Sequence, residues 1–314
     1  MRAVAAPHPS ELYQVRLRGL IDEYFAALKV AGRSHRTIGW YRDNLLEFIR
    51  FAERDGRAAT LGDLQAPVVR RWLLSLQSRP RRLAPSSIAG RVRTLKAFGT
   101  WVASEFDLAS NPLRAVPLPR VPEQLVPSLR DPEIIALLRA VDGSRDPERD
   151  RAIVLLLLDT GVRVSEAASL RVGDLDLVEG RCRVFGKGGK ERLVPIGRRA
   201  RKAVRRSLSH RHGARDDDPL FTGPGGHRLT ARGLYQLVHR LAARAGLQTR
   251  CSPHVLRHTF ARSFLTNGGD VFSLQRILGH SPSSIQVTRR YVDLVDDDLR
   301  AVHRQASPAD RLGE

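Results

Sequence analysis

The sequence predicts a mainly α-helical protein with a small antiparallel β-sheet, divided into two domains. Three observations carry that expectation. Apolar residues recur at helical spacing along most of the 314-residue chain. Two short strand-like runs flank one glycine-rich turn, Phe185-Gly186-Lys187-Gly188-Gly189-Lys190. Pro112, Pro117, Pro119, Pro122 and Pro127 crowd residues 111–127, a density that favours an extended, semi-rigid linker. The chain is long enough for two domains of ordinary size, placed at residues 10–110 and 128–314 on either side of that linker.

The N-terminal domain reads as a small bundle of four helices joined by short polar segments. Residues 12–31 have helical apolar spacing and stop at Gly32, a residue suited to the position after a helix. Residues 37–53 follow, with Tyr41, Leu45, Phe48 and Ile49 near one face. Residues 63–76 and 86–104 complete the set, the last studded with Arg91, Arg93 and Lys96. That basic helix is either a solvated face or a face turned to a polyanion.

Beyond the linker, Asp131-Pro132-Glu133 opens a helix with an N-cap, a proline at the first position and an acidic first turn. Residues 148–159 form an apolar helix stopped at Thr160-Gly161, and Ser165 is a candidate cap for a short helix beginning at Glu166. Residues 181–185 and 191–195 read as the two strands. Helices are expected at 198–210, 230–245, 253–266, 271–278 and 284–290. The sequence holds no internal repeat and no long low-complexity tract.

Lys and Arg total 53 against 33 Asp and Glu, a net charge of +20 that points to a polyanionic partner. The excess is not a tail: residues 1–126 carry 20 basic and 11 acidic side chains, and residues 127–314 carry 33 and 22. Arginine-favouring codon usage is the bland alternative, since arginine far outnumbers lysine. Cys182 and Cys251 cannot form a disulfide framework for a chain this size, which suggests a reducing compartment. No secretory leader is evident. The longest clean apolar run, residues 152–158, falls well short of the roughly 20 residues that span a bilayer. A cytoplasmic, nucleoid-associated protein with no membrane contact is expected.

Several residues have contexts that suit chemistry at one phosphate. Arg163 lies between two predicted helices, where it can turn into a cleft, although alone it reads as an ordinary surface arginine. His254-Val255-Leu256-Arg257-His258 is more specific. Ser252 and Pro253 supply a cap and a first-position proline, so His254 and Arg257 share a face in the first turn of a helix. Helix N-termini attract phosphate and bias a histidine toward its neutral form. The rival reading is metal binding by His254 and His258, with Cys251, but Arg257 between them argues against a cation site. His280 follows Leu278-Gly279 at a helix end, and Tyr291 comes eleven residues later. A tyrosine with an ordinary pKa of about 10 needs a base and a positive field to act as nucleophile. Lys187, at the turn tip, can reach a minor groove and protonate a leaving oxygen. A solvated turn lysine is the bland reading, and Lys190 is the competing candidate.

The phrases TGVRVSEAASL, FGKGGKERLVPI, HVLRHTFARSFLTNGGD and LQRILGHSPSSIQVTRRY resemble the catalytic domain of tyrosine recombinases, the phage integrase and Xer-like family. The resemblance covers roughly residues 130–295, and the N-terminal helices resemble that family's core-binding domain. It implies an α+β catalytic domain in which Arg163 and Arg257 clamp the phosphate and Lys187 is the general acid. His254 would assist as base, His280 would hydrogen-bond the phosphate, and Tyr291 would be the nucleophile. It further implies cutting and rejoining of duplex DNA through a 3′-phosphotyrosyl link with no cofactor and no metal. The partners would be double-stranded DNA and a homotetramer, or a heterotetramer with a related recombinase, on two DNA sites. The two domains would form a C-shaped clamp on the duplex. One departure stands out: family members commonly have two fewer residues between the last histidine and the tyrosine, and Ser281-Pro282 looks like the insertion. Two other functions share part of this pattern. A type IB topoisomerase would swivel and reseal one strand as a monomer. An architectural DNA-binding protein would form no covalent adduct.

Overall fold

A computed structural model describes residues 12–78, 83–122, 127–186, 189–211 and 213–279. The chain divides into two compact units between Gln124 and Leu125.

The first unit contains helices α1 (Leu17–Val30), α2 (His35–Arg54), α3 (Ala66–Gln77) and α4 (Pro85–Glu105). Phe48, Trp72 and Phe98 are fully buried among their apolar faces, with Phe48 and Trp72 edge-to-face at 5.3 Å. Each such ring contributes on the order of 1.5–3 kcal/mol by leaving water. Ser34 caps α2 by accepting the Thr37 N–H. Inside the core, Asn44 donates to Thr94 at 3.2 Å and ties α2 to α4.

Three expectations are corrected here. The first helix begins at Leu17 rather than residue 12 because the preceding chain pairs with the segment after α2: Leu17 N–H donates to Ala59 and Leu61 N–H to Val15. The third begins at Ala66 because a helix started at Asp63 would place Pro67 inside, where its ring clashes with the carbonyl four residues back. Instead, residues Leu61–Asp63 form a 3₁₀ turn, with the Asp63 carboxylate accepting the Thr60 N–H at 3.0 Å. Lastly, the proline-rich segment is not extended throughout. Leu113 and Val116 are buried in the first core, and Asn111 donates to the Lys96 carbonyl of α4 at 2.9 Å. Gly99 of α4 permits this: a Cβ there would lie 2.6 Å from the Asn111 side-chain oxygen.

The second unit is built around α6 (Pro147–Thr160), in which Ala152, Ile153, Val154, Leu156 and Leu157 are all buried. Helices α8 (Arg198–Ser209) and α10 (Pro253–Thr266) pack against it. Around them lie α5 (Asp131–Ala140), α7 (Val164–Ser169), α9 (Ala231–Arg244) and α11 (Val271–Leu278). The sheet has the order β1 (Leu175–Asp176), β2 (Arg181–Phe185), β3 (Glu191–Pro195), antiparallel throughout, with β2 and β3 in the register Arg181↔Pro195 and Phe185↔Glu191. The edge strand β1 (Leu175–Asp176) was absent from the sequence expectation. Two residues are too few for a period-two signal.

Two helix starts also differ from expectation. Arg130, not Asp131, caps α5, and Arg163, not Ser165, caps α7. In both, a glutamate at the third helical position accepts the cap residue's own N–H: Glu133 from Arg130 at 2.9 Å, Glu166 from Arg163 at 2.8 Å. A carboxylate there satisfies a donor that the helix leaves open. The expected helix at 284–290 lies outside the described residues. No helix among the described residues is long and apolar enough to cross a membrane.

Candidate active site

α6 ends at Gly161, whose φ of 59° is left-handed, and the chain turns there to deliver Arg163 at the start of α7. Phe260 and Leu278 crowd the space where a Cβ on Gly161 would sit, so this turn is also a close approach between elements. The Arg163 side chain is 42% exposed, and its Nη1 donates to Glu166 Oε1 at 2.9 Å.

Arg257 comes from the first turn of α10, which starts as the sequence predicts: the Ser252 side chain accepts the Val255 N–H, and Pro253 occupies the first position. Unlike Arg163, it is 4% exposed. Its Nη1 donates to the Gly161 carbonyl at 2.6 Å and its Nη2 to the Leu278 carbonyl at 2.8 Å. It therefore ties the end of α6, two residues before Arg163, to the end of α11. A cation at those carbonyls also complements the negative ends of both helices.

His254 lies one turn before His258 on α10. Their rings are edge-on with centroids 4.3 Å apart, and the two Nε2 atoms are 2.9 Å apart. Such a contact needs one bare nitrogen as acceptor, so both rings cannot be fully protonated. Burial, then the charges of Arg257 and Arg163, hold the His254 pKa below its ordinary value. The same two arginines that the sequence assigns to a phosphate thus bear electrostatically on this imidazole. Cys251 is buried, and burial followed by the Glu133 charge pushes its thiol up to about 12.

Lys187, His280 and Tyr291 lie outside the described residues, as does Ser281-Pro282. Their described neighbours are informative. Gly186 N–H donates to the Lys190 carbonyl at 2.8 Å and closes the hairpin whose turn sequence contains Lys187. Lys190 itself is exposed just before the start of β3. Gly279, immediately before His280, ends α11 with a left-handed φ of 62°.

Sequence reasoning passed over two residues of this site. Glu166 is 5% exposed and meets both Arg163 and Arg192, the latter bidentate at 3.0 and 2.8 Å. Burial raises the Glu166 pKa, but hydrogen bonds and charge from Arg192 and Arg163 outweigh it, so the carboxylate is held below its usual range. A signal existed: on β3, Arg192 and Val194 fall on one face and Glu191, Leu193 and Pro195 on the other. An arginine in register with an inward valine is an arginine that needs a buried partner.

Residues 127–297 match the phage integrase family, and residues 21–105 match the phage integrase N-terminal SAM-like domain. The tyrosine recombinase XerC of Chromobacterium violaceum is 33% identical over 292 residues, covering 93% of this chain and 95% of that protein. XerD of Oceanobacillus iheyensis is 29% identical over 297 residues, covering 92% and 98%. Among solved structures, the fold is shared with a lambda integrase tetramer bound to a Holliday junction, at a TM-score of 0.71, 18% identity, and coverage of 89% and 83%. The Tn1549 transposon integrase in complex with transposon right end DNA gives a TM-score of 0.71 at 22% identity, covering 92% and 99%. The chain belongs to the phage integrase family, and its activity is site-specific tyrosine recombination.

Proposed function

We propose that Arg163, Lys187, His254, Arg257, His280 and Tyr291 act on one scissile phosphate of double-stranded DNA. The supporting observation is the convergence of three of them: Arg257 holds the carbonyl two residues before Arg163, and both arginines bear on the pKa of His254. The Tyr291 oxygen bonds to phosphorus as the bond to the 5′-oxygen breaks. His254, kept neutral, accepts the tyrosine proton, and Lys187 gives one to the departing oxygen. Arg163 and Arg257 balance the charge that grows on the non-bridging oxygens. The product is a 3′-phosphotyrosyl ester and a 5′-hydroxyl. Because the ester keeps the bond energy, a different 5′-hydroxyl can reverse the step and exchange strands without ATP.

The N-terminal unit supplies DNA contacts through exposed cations such as Arg93, and the protein works as a tetramer, of one chain or with a related recombinase, on two sites. The lambda integrase tetramer on a junction supports that assembly by analogy of fold. The reaction takes place in the cytoplasm, at the nucleoid. The test uses a nicked DNA that loses its 5′-end by diffusion. The wild-type protein should accumulate as a covalent adduct, with or without EDTA. Tyr291→Phe should bind that DNA normally and form none. An adduct from Tyr291→Phe would send peptide mapping to another nucleophile, Tyr235 first.

A further inference from the structure

The carboxylate of Glu166 is shared by two guanidinium groups, and only one of them has a place in the reaction described above. Oε1 accepts from Arg163 Nη1 at 2.9 Å and from Arg192 Nη1 at 3.0 Å. Oε2 accepts from the Arg163 backbone N–H at 2.8 Å and from Arg192 Nη2 at 2.8 Å. A carboxylate this buried must be neutralised by a partner. The parallel fork from Arg192 is the geometry that does so best. Arg163 adds a single side-chain bond and keeps its head group 42% exposed.

Arg192 is also fixed from other sides. Its Nε donates to the Ile277 carbonyl at 2.8 Å, one residue before the Leu278 carbonyl that Arg257 holds. A Cβ on Gly279 would lie 3.0 Å from the Arg192 side chain, and one on Gly186 would lie 3.6 Å from Arg192 Nη1 and 3.8 Å from Glu166 Oε1. The residues just before Lys187 and just before His280 therefore both border this one arginine.

We propose that Arg192 is a positioning residue for strand cleavage: it occupies Glu166 so that Arg163 keeps its charge available to the phosphate, and it ties the start of the β2–β3 turn and the end of α11 to that same carboxylate. The inference rests on Arg163 being a phosphate clamp. With Arg192 present, the three side chains carry a net single positive charge. Without it, Glu166 and Arg163 cancel, and among the described residues Arg163 is the one guanidinium left to neutralise the buried carboxylate.

The experiment compares cleavage of two nicked substrates at saturating protein. One carries an ordinary phosphodiester and the other a methylphosphonate, in which a methyl group replaces one non-bridging oxygen and the linkage is neutral. A neutral linkage gains little from an arginine's charge, so the ratio of the two rates reads that charge at the phosphate. Arg163→Ala should slow the phosphodiester far more than the methylphosphonate. Arg192→Gln should slow the phosphodiester on the order of 10–100-fold, with a smaller loss on the methylphosphonate. Should Arg192→Gln slow both equally while Arg163→Ala discriminates, Arg192 is only a packing residue and the proposal falls. Should Arg163→Ala also slow both equally, the phosphate-clamp reading falls and takes this proposal with it. If Arg192→Gln does not fold, Arg192→Gln with Glu166→Gln removes both charges of the pair. It should keep the wild-type ratio of rates, because no carboxylate then competes for Arg163. A ratio matching that of Arg163→Ala would overturn the proposal.

Discussion

The two units carry comparable charge and place it differently. In the N-terminal unit no described lysine or arginine is fully buried, and most are exposed. Arg18 pairs with Glu53 while 60% exposed, and Arg93 points to solvent from α4 with no hydrogen bond to a described residue. In the second unit arginine enters the interior: Arg257 is 4% exposed, and the Arg192 side chain is 13% exposed. Exposed ion pairs contribute about 0–1 kcal/mol and are screened by salt. Buried arginines that hold backbone carbonyls fix geometry instead. Net charge therefore reports the partner, while burial separates cations that attract DNA from cations that shape the site.

The sharpest test of that distinction sets Arg257 against Arg163. We predict that alanine at either position slows cleavage on the order of 10²–10³-fold at saturating DNA, as expected when one preorganised donor is lost. Their effects on stability should diverge. Arg257→Ala leaves the buried Gly161 and Leu278 carbonyls without those bonds, at a cost on the order of 1–3 kcal/mol each. Arg163→Ala removes an exposed side chain whose partner Glu166 keeps Arg192, a change of about 1 kcal/mol or less. Denaturant midpoints beside single-turnover cleavage rates decide it. Equal destabilisation by the two variants breaks the division between buried and exposed cations.

Much of this architecture was legible in the sequence because its signals are local. Ser252-Pro253 before α10, Gly279 after α11 and the alternation in residues 181–185 and 191–195 each specify a boundary within a few residues. What escaped depends on partners distant in sequence. The start of α1 is set by pairing with residues 59–61, and β1 is too short to show a period. Leu113 and Val116 look like linker residues until a core is there to receive them. In the candidate site, the sequence singles out Arg163, His254 and Arg257, and the fold brings the three to bear on one another. Their restraint was not legible, because Glu166 and Arg192 are 26 residues apart and meet only once the hairpin folds back on α7.

His254 gives a second test, smaller in effect. Its folded-state pKa lies below the ordinary value, from burial first and then from Arg257 and Arg163. The neutral ring required of a base therefore persists below the usual histidine pKa of about 6.5. Cleavage should hold as pH falls through that value and decline only beyond the lowered pKa. Stability follows the same sign. The unfolded histidine takes up its proton first, so this contribution is fully present above about pH 6.5 and is lost as pH falls through the folded pKa. Ring titration by NMR should show the His254 pKa rising in Arg257→Ala and in Arg163→Ala. An unchanged pKa in both would separate this imidazole from the arginines.

The smallest effect belongs to the exposed cations, and it completes the comparison. Each phosphate neutralised contributes a slope of about −0.9 to log K against log salt. We predict that Arg93→Ala weakens DNA binding modestly and flattens that slope by about one such contact, because its side chain is exposed on α4 and makes no hydrogen bond to a described residue. Arg91, two residues earlier on the same helix, should differ: it is half-buried and donates to Glu47 at 2.7 Å and to the Ser87 carbonyl, so Arg91→Ala should lower the stability of the helix pair with little change in slope. Cleavage per bound complex should stay at the wild-type rate in Arg93→Ala. Salt titrations of binding and cleavage at saturation measure both quantities on the same DNA. A slope unchanged by Arg93→Ala, or a cleavage defect that saturating protein does not repair, would mean that the first unit's surface charge does more than hold the duplex.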